Sequence, residues 1–382
     1  MSRNYDNWER LVAAVLRREL IWKLCHENSR TPSLRSSVSS DFSSSLMLSS
    51  SFSTSFDFVV DQKHGFFKSA KFLPFQYLAE IKISASPETK EEEDGRLIHL
   101  KGSPFAFGLQ ELLMAPSFVL GEELATYRNT YIIRLKEDTM FVVKKLERDH
   151  FTLVEFKNRV KTIGSIEHEN VVKLRGYYLS QNESLGFFDY FPQGSVYTML
   201  HGKRSENRVH LDWDARIRIA IGAAKGLAHI HKQNNGKYIY GNMKASNIFL
   251  NSQEYGCVAD RSPGIARISK YQPPEVSKLQ KLSQASDVYS FGVLMIEIVS
   301  GRSPLHYIGR HKTFVDWAIH NARDEWTAIV YDRGLLKDPL VKQEMWDMLG
   351  VALSCVKKKP EERPNMEDVV KMLESIPTNF PI

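Results

Sequence analysis

The chain has 382 residues, 42% of them hydrophobic and 11% aromatic, with 51 basic against 45 acidic side chains and a net charge of +6. This composition excludes a disordered protein and leaves room for two or three core-forming units. The basic residues are spread without a long block, so the charge favours anionic partners only weakly and gives no argument for nucleic acid.

No long apolar run occurs, which predicts no transmembrane helix. Cys25, Cys257 and Cys355 lie far apart and match no metal-ligand spacing, so they read as free thiols in a reducing compartment. Arg10, Arg17 and Arg18 interrupt the early apolar residues, which argues against a signal peptide. Met1-Ser2-Arg3 lacks the glycine for myristoylation and the terminal "NFPI" lacks a prenylation cysteine. The expected location is the cytoplasm.

In chain order, Trp8, Leu11, Val12, Val15, Leu16 and Leu20 recur at helical spacing with arginines on other faces. This predicts an amphipathic helix within residues 1–30, suited to packing on a protein surface or to lying on a membrane. Serine dominates from Ser33 to Ser55, and "SPETKEEEDG" is a second solvated run, so residues 31–94 are expected to form a flexible arm. The serines could carry phosphate charge. From Arg96 onward, "RLIHL", "FVLGEEL", "NTYIIRL" and "MFVVKKL" predict a small antiparallel sheet, with one helix from about His150 to Ile163. "LDWDARIRIAIGAAKGLAHIHK" predicts a long helix capped by Asp212, and helices then dominate, including "SDVYSFGVLMIEIVSG" stopped by Gly301 and "MEDVVKMLESI". A strand-rich part followed by a helix-rich part is an α+β order with the ligand cleft between them.

Several phrases carry a resemblance: "HENVVKLRGYYLS", "FPQGSVYTMLHG", "LDWDARIRIAIGAAKGLAHIH", "NMKASNIFL", "SDVYSFGVLMIEIVSGRSP" and "RPNMEDVVKML". From about Arg96 to Ile376 the chain resembles the intracellular kinase domain of plant leucine-rich-repeat receptor-like kinases, a class whose members are often labelled inactive. The resemblance implies a two-lobe protein kinase-like fold, with an N-lobe over 95–191 and a C-lobe over 192–382. It also implies a chain without the ectodomain and membrane span of most relatives, whose expected partners are other protein kinases or receptor-like kinases at the inner face of the plasma membrane.

Kinase chemistry requires groups that hold ATP phosphates and magnesium, align the acceptor hydroxyl and take up its proton. In the glycine-rich turn only the first glycine, Gly121, survives; the second position falls on Glu123, which would repel triphosphate, and the third falls near Arg128. The resemblance places Lys144 as the strand lysine that contacts phosphate, but puts Arg159 where its helical glutamate partner belongs. Glu155, one turn earlier, could substitute only by rotating the helix.

The loop "YIYGNMKASNIFL" keeps Lys244 and Asn247 at kinase spacing but has Asn242 in place of the catalytic aspartate, with Tyr240 and Gly241 replacing the His and Arg before it. An amide cannot accept the hydroxyl proton, and loss of a general base costs about a hundred- to ten-thousand-fold in rate. Asn247 and Asp260 remain as magnesium ligands, while Arg261 and Ser262 replace the Phe and Gly after Asp260. Phe187, Phe188 and Tyr190 fit an adenine pocket or ordinary core packing equally well. Glu275, Asp287 and Arg363, by contrast, match the family's structural pair and its catalytic-loop cap.

The expected function is a catalytically inactive pseudokinase acting as a signalling scaffold or allosteric regulator, with ATP and magnesium bound weakly and not required. The alternatives are a weakly active ATP-dependent Ser/Thr kinase and an adaptor that works through its N-terminal helix.

Overall fold

The computed structural model describes residues 73–74, 96–100, 102–103, 107–119, 130–135, 140–146, 152–180, 182–202, 211–259, 269–279, 282–307, 311–322, 329–336 and 339–378. The N-terminal helix, the Ser-rich stretch, Cys25, the glycine-rich turn with Gly121, Glu123 and Arg128, and the segment from Asp260 to Pro263 lie outside the described residues.

Alternating apolar residues build the first half of the fold. Seven strands, β1 (Leu73–Pro74), β2 (Arg96–His99), β3 (Pro116–Val119), β4 (Thr130–Arg134), β5 (Met140–Lys145), β6 (Leu174–Leu179) and β7 (Ser184–Asp189), form one sheet in the order β1-β3-β4-β5-β7-β6-β2, with every pairing antiparallel. Helix α1 (Leu109–Met114) precedes β3, and α2 (Leu153–Gly164) follows β5. Tyr131, Ile133, Phe141, Val143, Leu185 and Phe187 pack with Phe107, Leu112 and Leu113 in one core layer. Phe156, Val160 and Ile163 of α2 pack against Leu174, Tyr177 and Leu179 in another.

Two features depart from the sequence-based expectation. Leu73–Pro74 pair with β3 although they fall within the segment 31–94 expected to be an arm, because the local run "KFLPFQYL" is aromatic and aliphatic where its neighbours are serine and glutamate. Helix α1 also adds a helical turn to a region read as strands and turns.

The second half is helical: α3 (Val196–His201), α4 (Trp213–Gly236), α5 (Pro274–Leu279), α6 (Gln284–Ser300), α7 (Phe314–Asn321), α8 (Pro339–Cys355) and α9 (Met366–Glu374), with a small hairpin of β8 (Ile248–Leu250) and β9 (Gly256–Val258). Local chemistry sets the helix ends. Asp212 accepts the Ala215 N–H at 2.8 Å, and Gly301 takes φ 64° to close α6, a conformation that costs glycine nothing. α6 is buried from Ser286 to Ser300 and forms the axis of this half.

Gly222 and Gly226 of α4 let β9 and the loop after α2 approach closely. A Cβ on Gly226 would lie 2.2 Å from the Asn170 carbonyl oxygen, and one on Gly222 would lie 2.5 Å from the Gly256 nitrogen. Cys257 and Cys355 are buried free thiols, each pushed up to about 12 chiefly by burial, so neither is a ready nucleophile. Among the described residues no helix is long and apolar enough to cross a membrane.

Candidate functional site

The loop that carries Asn242 is positioned by α4 before it and by α6 beneath it. α4 ends where Gln233 leaves helical geometry and Asn234 and Asn235 take φ 52° and 54°, turning the chain toward Tyr240. Asp287, in the first turn of α6 and 1% exposed, then grips the loop backbone. Its Oδ2 accepts from Tyr240 N–H at 2.8 Å and from His231 Nε2 at 3.0 Å, and its Oδ1 accepts from Gly241 N–H at 2.7 Å. Each such charge-assisted bond contributes about 1.5–3 kcal/mol.

Gly241 stands at φ +77°, and a Cβ there would come 2.7 Å from Leu282 Cδ1. Only glycine meets both conditions without strain. Tyr240 is buried, and its hydroxyl donates to the Ala259 carbonyl. Ala259 N–H in turn donates to the Asn247 carbonyl at 2.8 Å, so the residue before Asp260 is held from both sides.

Asn247, also buried, donates its Nδ2 to the Asn242 carbonyl at 2.9 Å, which joins the ends of the loop. Met243 and Ala245 anchor the loop in the large core, while Asn242 and Lys244 are half-buried. The backbone frame of the loop is thus complete, and the side chain it presents at position 242 is a neutral amide.

Lys144 sits on β5, paired in register with Gly186 of β7 and half-buried on the sheet face opposite Phe141 and Val143. Its neighbour Lys145 bonds Glu183 at 3.2 Å. Packing links the sheet to the loop. Phe188, the cross-strand partner of Val142, joins Phe191 and Phe249 on a buried group of Val172, Cys257 and Ala259. Phe191 and Phe249 stack with centroids 5.1 Å apart. Phe187, in contrast, is core, 5.8 Å from Phe107 and 6.2 Å from Phe141. Tyr190 is half-buried, and burial raises its phenol above the usual range.

Glu155 is engaged at the start of α2. Its carboxylate accepts from Thr152 N–H at 3.0 Å and from the Thr152 hydroxyl at 2.9 Å, a capping box that holds its carboxyl below the usual carboxylate range, with Arg159 adding to the effect. Arg159 is exposed on the same helix. The "TLVE" spacing of Thr152 and Glu155 is the sequence signature of this capping role.

Further down, Arg363 makes a bidentate pair with Glu275 at 2.6 and 3.1 Å, donates to the Lys357 and Ala285 carbonyls at 2.8 and 2.9 Å, and lies 4.9 Å from the Tyr289 ring centroid. Sequence inspection gave no sign of a third buried group. Glu297 on α6 accepts from Tyr271 Oη at 2.6 Å and contacts His201 Nε2 at 2.8 Å. Burial raises the Glu297 carboxyl, and burial together with that carboxylate raises the Tyr271 phenol.

Of the residues predicted as a site, the structure brings together Asn242 with Asn247, Asp287 with the backbone of the loop, and Glu275 with Arg363. Lys144 stands on a separate element, and Gly121 and Asp260 are outside the described residues. Among the described residues no cluster of three or more His, Cys, Asp or Glu could hold a metal, and Asn247 supplies a single amide oxygen. Magnesium is ordinarily held through one or two carboxylates together with substrate phosphates and water, and Asp260, the carboxylate that would join Asn247, lies outside the described residues.

Residues 124–373 match the family model for protein tyrosine and serine/threonine kinases. A probable inactive receptor kinase of Arabidopsis thaliana is 44% identical over 297 residues, covering 75% of this chain and 46% of the relative. A probably inactive receptor-like protein kinase of Arabidopsis thaliana is 36% identical over 331 residues, covering 77% of this chain and 91% of that relative. An inactive leucine-rich repeat receptor-like serine/threonine-protein kinase from the same plant is 36% identical over 329 residues, covering 81% of this chain and 52% of its own length. The chain therefore spans about half the length of several of these relatives and nearly all of one. Among solved structures, the pseudokinase domain of BIR2, an immune regulator of the RLK/Pelle family, superposes with TM-score 0.63 at 24% identity, over 75% of this chain and 91% of that one. The maize SIRK1 (sucrose-induced receptor kinase 1) kinase domain bound to AMP-PNP does so with TM-score 0.61 at 28% identity, over 73% and 99%.

Proposed function

The chain belongs to the protein kinase family, in its plant receptor-like group, and from that premise we propose that it works without phosphoryl transfer, as a scaffold or allosteric regulator of other kinases. One observation carries this reading: the loop around Asn242 is held by Asp287, Tyr240 and Asn247, yet its side chain at the base position has no proton affinity in the physiological range. Glu155 is committed to a helix cap and Arg159 takes the place of the glutamate partner of Lys144, which supports the same conclusion from a second element. The names given to the relatives agree with it.

On this reading ATP and magnesium bind weakly and are not required. Lys144 would meet phosphate and Asn247 would offer one oxygen, and Gly121 and Asp260 complete the set in sequence alone. The partners are other receptor-like kinases at the cytoplasmic face of the plasma membrane, with residues 1–30 as the segment that could touch the membrane. The fold offers no argument for nucleic acid as a partner. The competing reading, a slow Ser/Thr kinase, draws on Lys144 and Asn247 and on a solved neighbour that holds AMP-PNP.

Restoring the carboxylate separates the two. If several parts are lost, purified Asn242→Asp protein stays inactive toward generic Ser/Thr substrates. If only the base is missing, that substitution brings transfer up by about a hundredfold or more over an inactive parent, whereas a parent already active, with transfer lost on Lys144→Met, sinks the scaffold reading.

A further inference from the structure

Away from the loop of Asn242, two imidazoles form a contact that the function above does not use. His168 lies in the segment between α2 and β6, and His229 lies on α4; their ring centroids are 4.7 Å apart and tilted by 32°. Hydrogen bonds fix the protonation of both rings. His168 Nδ1 accepts the Asn170 backbone N–H at 3.0 Å, so that nitrogen is bare. The Gln233 amide nitrogen donates to the His229 carbonyl at 3.1 Å, which identifies it as the NH2 group, and it reaches His229 Nε2 at 3.1 Å, so that nitrogen is bare as well. The two rings are therefore held neutral. A proton on either displaces a donor and places positive charge beside the other ring.

The surroundings add to this. Lys225 and Lys232 on α4 disfavour a charged His168 and Glu169 favours it; the lysines themselves bond Glu374 and Glu367 of α9 at 2.8 Å each. Burial is the largest contribution, and the balance lowers the affinity of His168 for a proton. On the same loop, Lys173 and Glu167 pair with each other at 2.5 Å.

What the contact holds gives it a consequence. Asn170, positioned by His168, donates Nδ2 to the Gly256 carbonyl at 3.1 Å and accepts Val258 N–H on its own carbonyl at 2.8 Å, while Val172 N–H bonds the Val258 carbonyl at 2.9 Å. The next residue, Ala259, is the one fastened to Asn247 and Tyr240. A continuous hydrogen-bonded path therefore runs from the histidine pair through Asn170 and β9 to the loop of Asn242.

We propose that His168 and His229 form an acid-sensitive latch that fastens the loop after α2 onto α4, and that protonation releases Asn170 and loosens β9 and the Asn247 end of the candidate site. Above neutrality the latch is shut. As pH falls below the ordinary histidine range, the native state resists the proton that the unfolded chain accepts, and the latch weakens.

Hydrogen exchange on the full chain, read by NMR or mass spectrometry as protection factors at pH 7.5 and 5.5, tests it. Val172 and Val258 should lose at least about tenfold protection at the lower pH, while Ile296 in the middle of α6 keeps its own. His168→Asn retains an acceptor for Asn170 N–H through an Asx turn, and His229→Phe retains a ring; each should hold protection at Val258 within about threefold between the two pH values. Equal protection at Val258 in the wild type at both pH values overturns the proposal. So does a pH-dependent loss that persists in both variants, or one that spreads equally to Ile296. Should a variant not fold, the wild-type comparison of Val258 with Ile296 still decides.

Discussion

Gly226→Ala is expected to destabilise the protein although alanine is the better helix former. In the interior of α4 the exchange gains about 1 kcal/mol of helix propensity. Against this, the new methyl would stand 2.2 Å from the Asn170 carbonyl oxygen and 3.1 Å from both the Asn170 carbonyl carbon and Val258 Cγ2. Two of those atoms are backbone and cannot swing aside, so the contact lies at the upper end of the roughly 1–3 kcal/mol range for overpacking. Moving the Asn170 carbonyl also weakens its 2.8 Å bond from Val258 N–H, at about 1 kcal/mol more. The net expectation is a loss of about 2–3 kcal/mol, or a fall in Tm of about 4–12 °C for a domain of this size. Gly350→Ala in α8 is the matched control, because a Cβ there meets nothing within 4 Å and should raise stability by about 0.5–1 kcal/mol. Thermal unfolding followed by circular dichroism measures both. If Gly226→Ala proves neutral or stabilising, the close seating of the Asn170 loop on α4 is wrong.

Arg363→Met should cost about 3–5 kcal/mol by leaving the Glu275 carboxylate and several carbonyls without their donor, seen as a fall in Tm greater than about 6 °C; a smaller change would show that water replaces the guanidinium. Asp287→Asn turns an NH2 group toward one of the N–H groups of Tyr240 and Gly241, and should cost about 2–3 kcal/mol by chemical denaturation. Faster amide exchange at those two residues should accompany it. Glu155 binds its proton less readily when folded, so it contributes stability above its ordinary value of 4.5 that is lost as pH falls through the lowered one. Glu155→Gln should therefore flatten the acid limb of the Tm-against-pH curve below about pH 4.5, and an unchanged limb would count against the capping box.

Much of the fold was legible because local and tertiary demands agree. The alternation in "MFVVKK" gave β5, Asp212 and Gly301 marked the ends of α4 and α6, and the antiparallel sheet followed by helices appeared as expected. Leu73–Pro74 escaped notice because a two-residue strand has no period and its pairing with β3 is a long-range event. The identity of the loop residues was legible, but their support was not: the Tyr240 bond to Ala259 and the seat of Glu297 among His201 and Tyr271 join positions far apart in sequence. Gly241 could be read only as a lost arginine until its φ of +77° showed that the backbone itself calls for glycine.

The most direct test of the central claim is phosphoryl transfer itself. The full chain would be incubated with radiolabelled ATP and magnesium or manganese, with itself and a generic protein as acceptors, beside Lys144→Met protein. Label incorporation that does not exceed the Lys144→Met background is the predicted result. Incorporation that is clearly above it and rises with enzyme concentration would make this chain a working kinase and contradict the account.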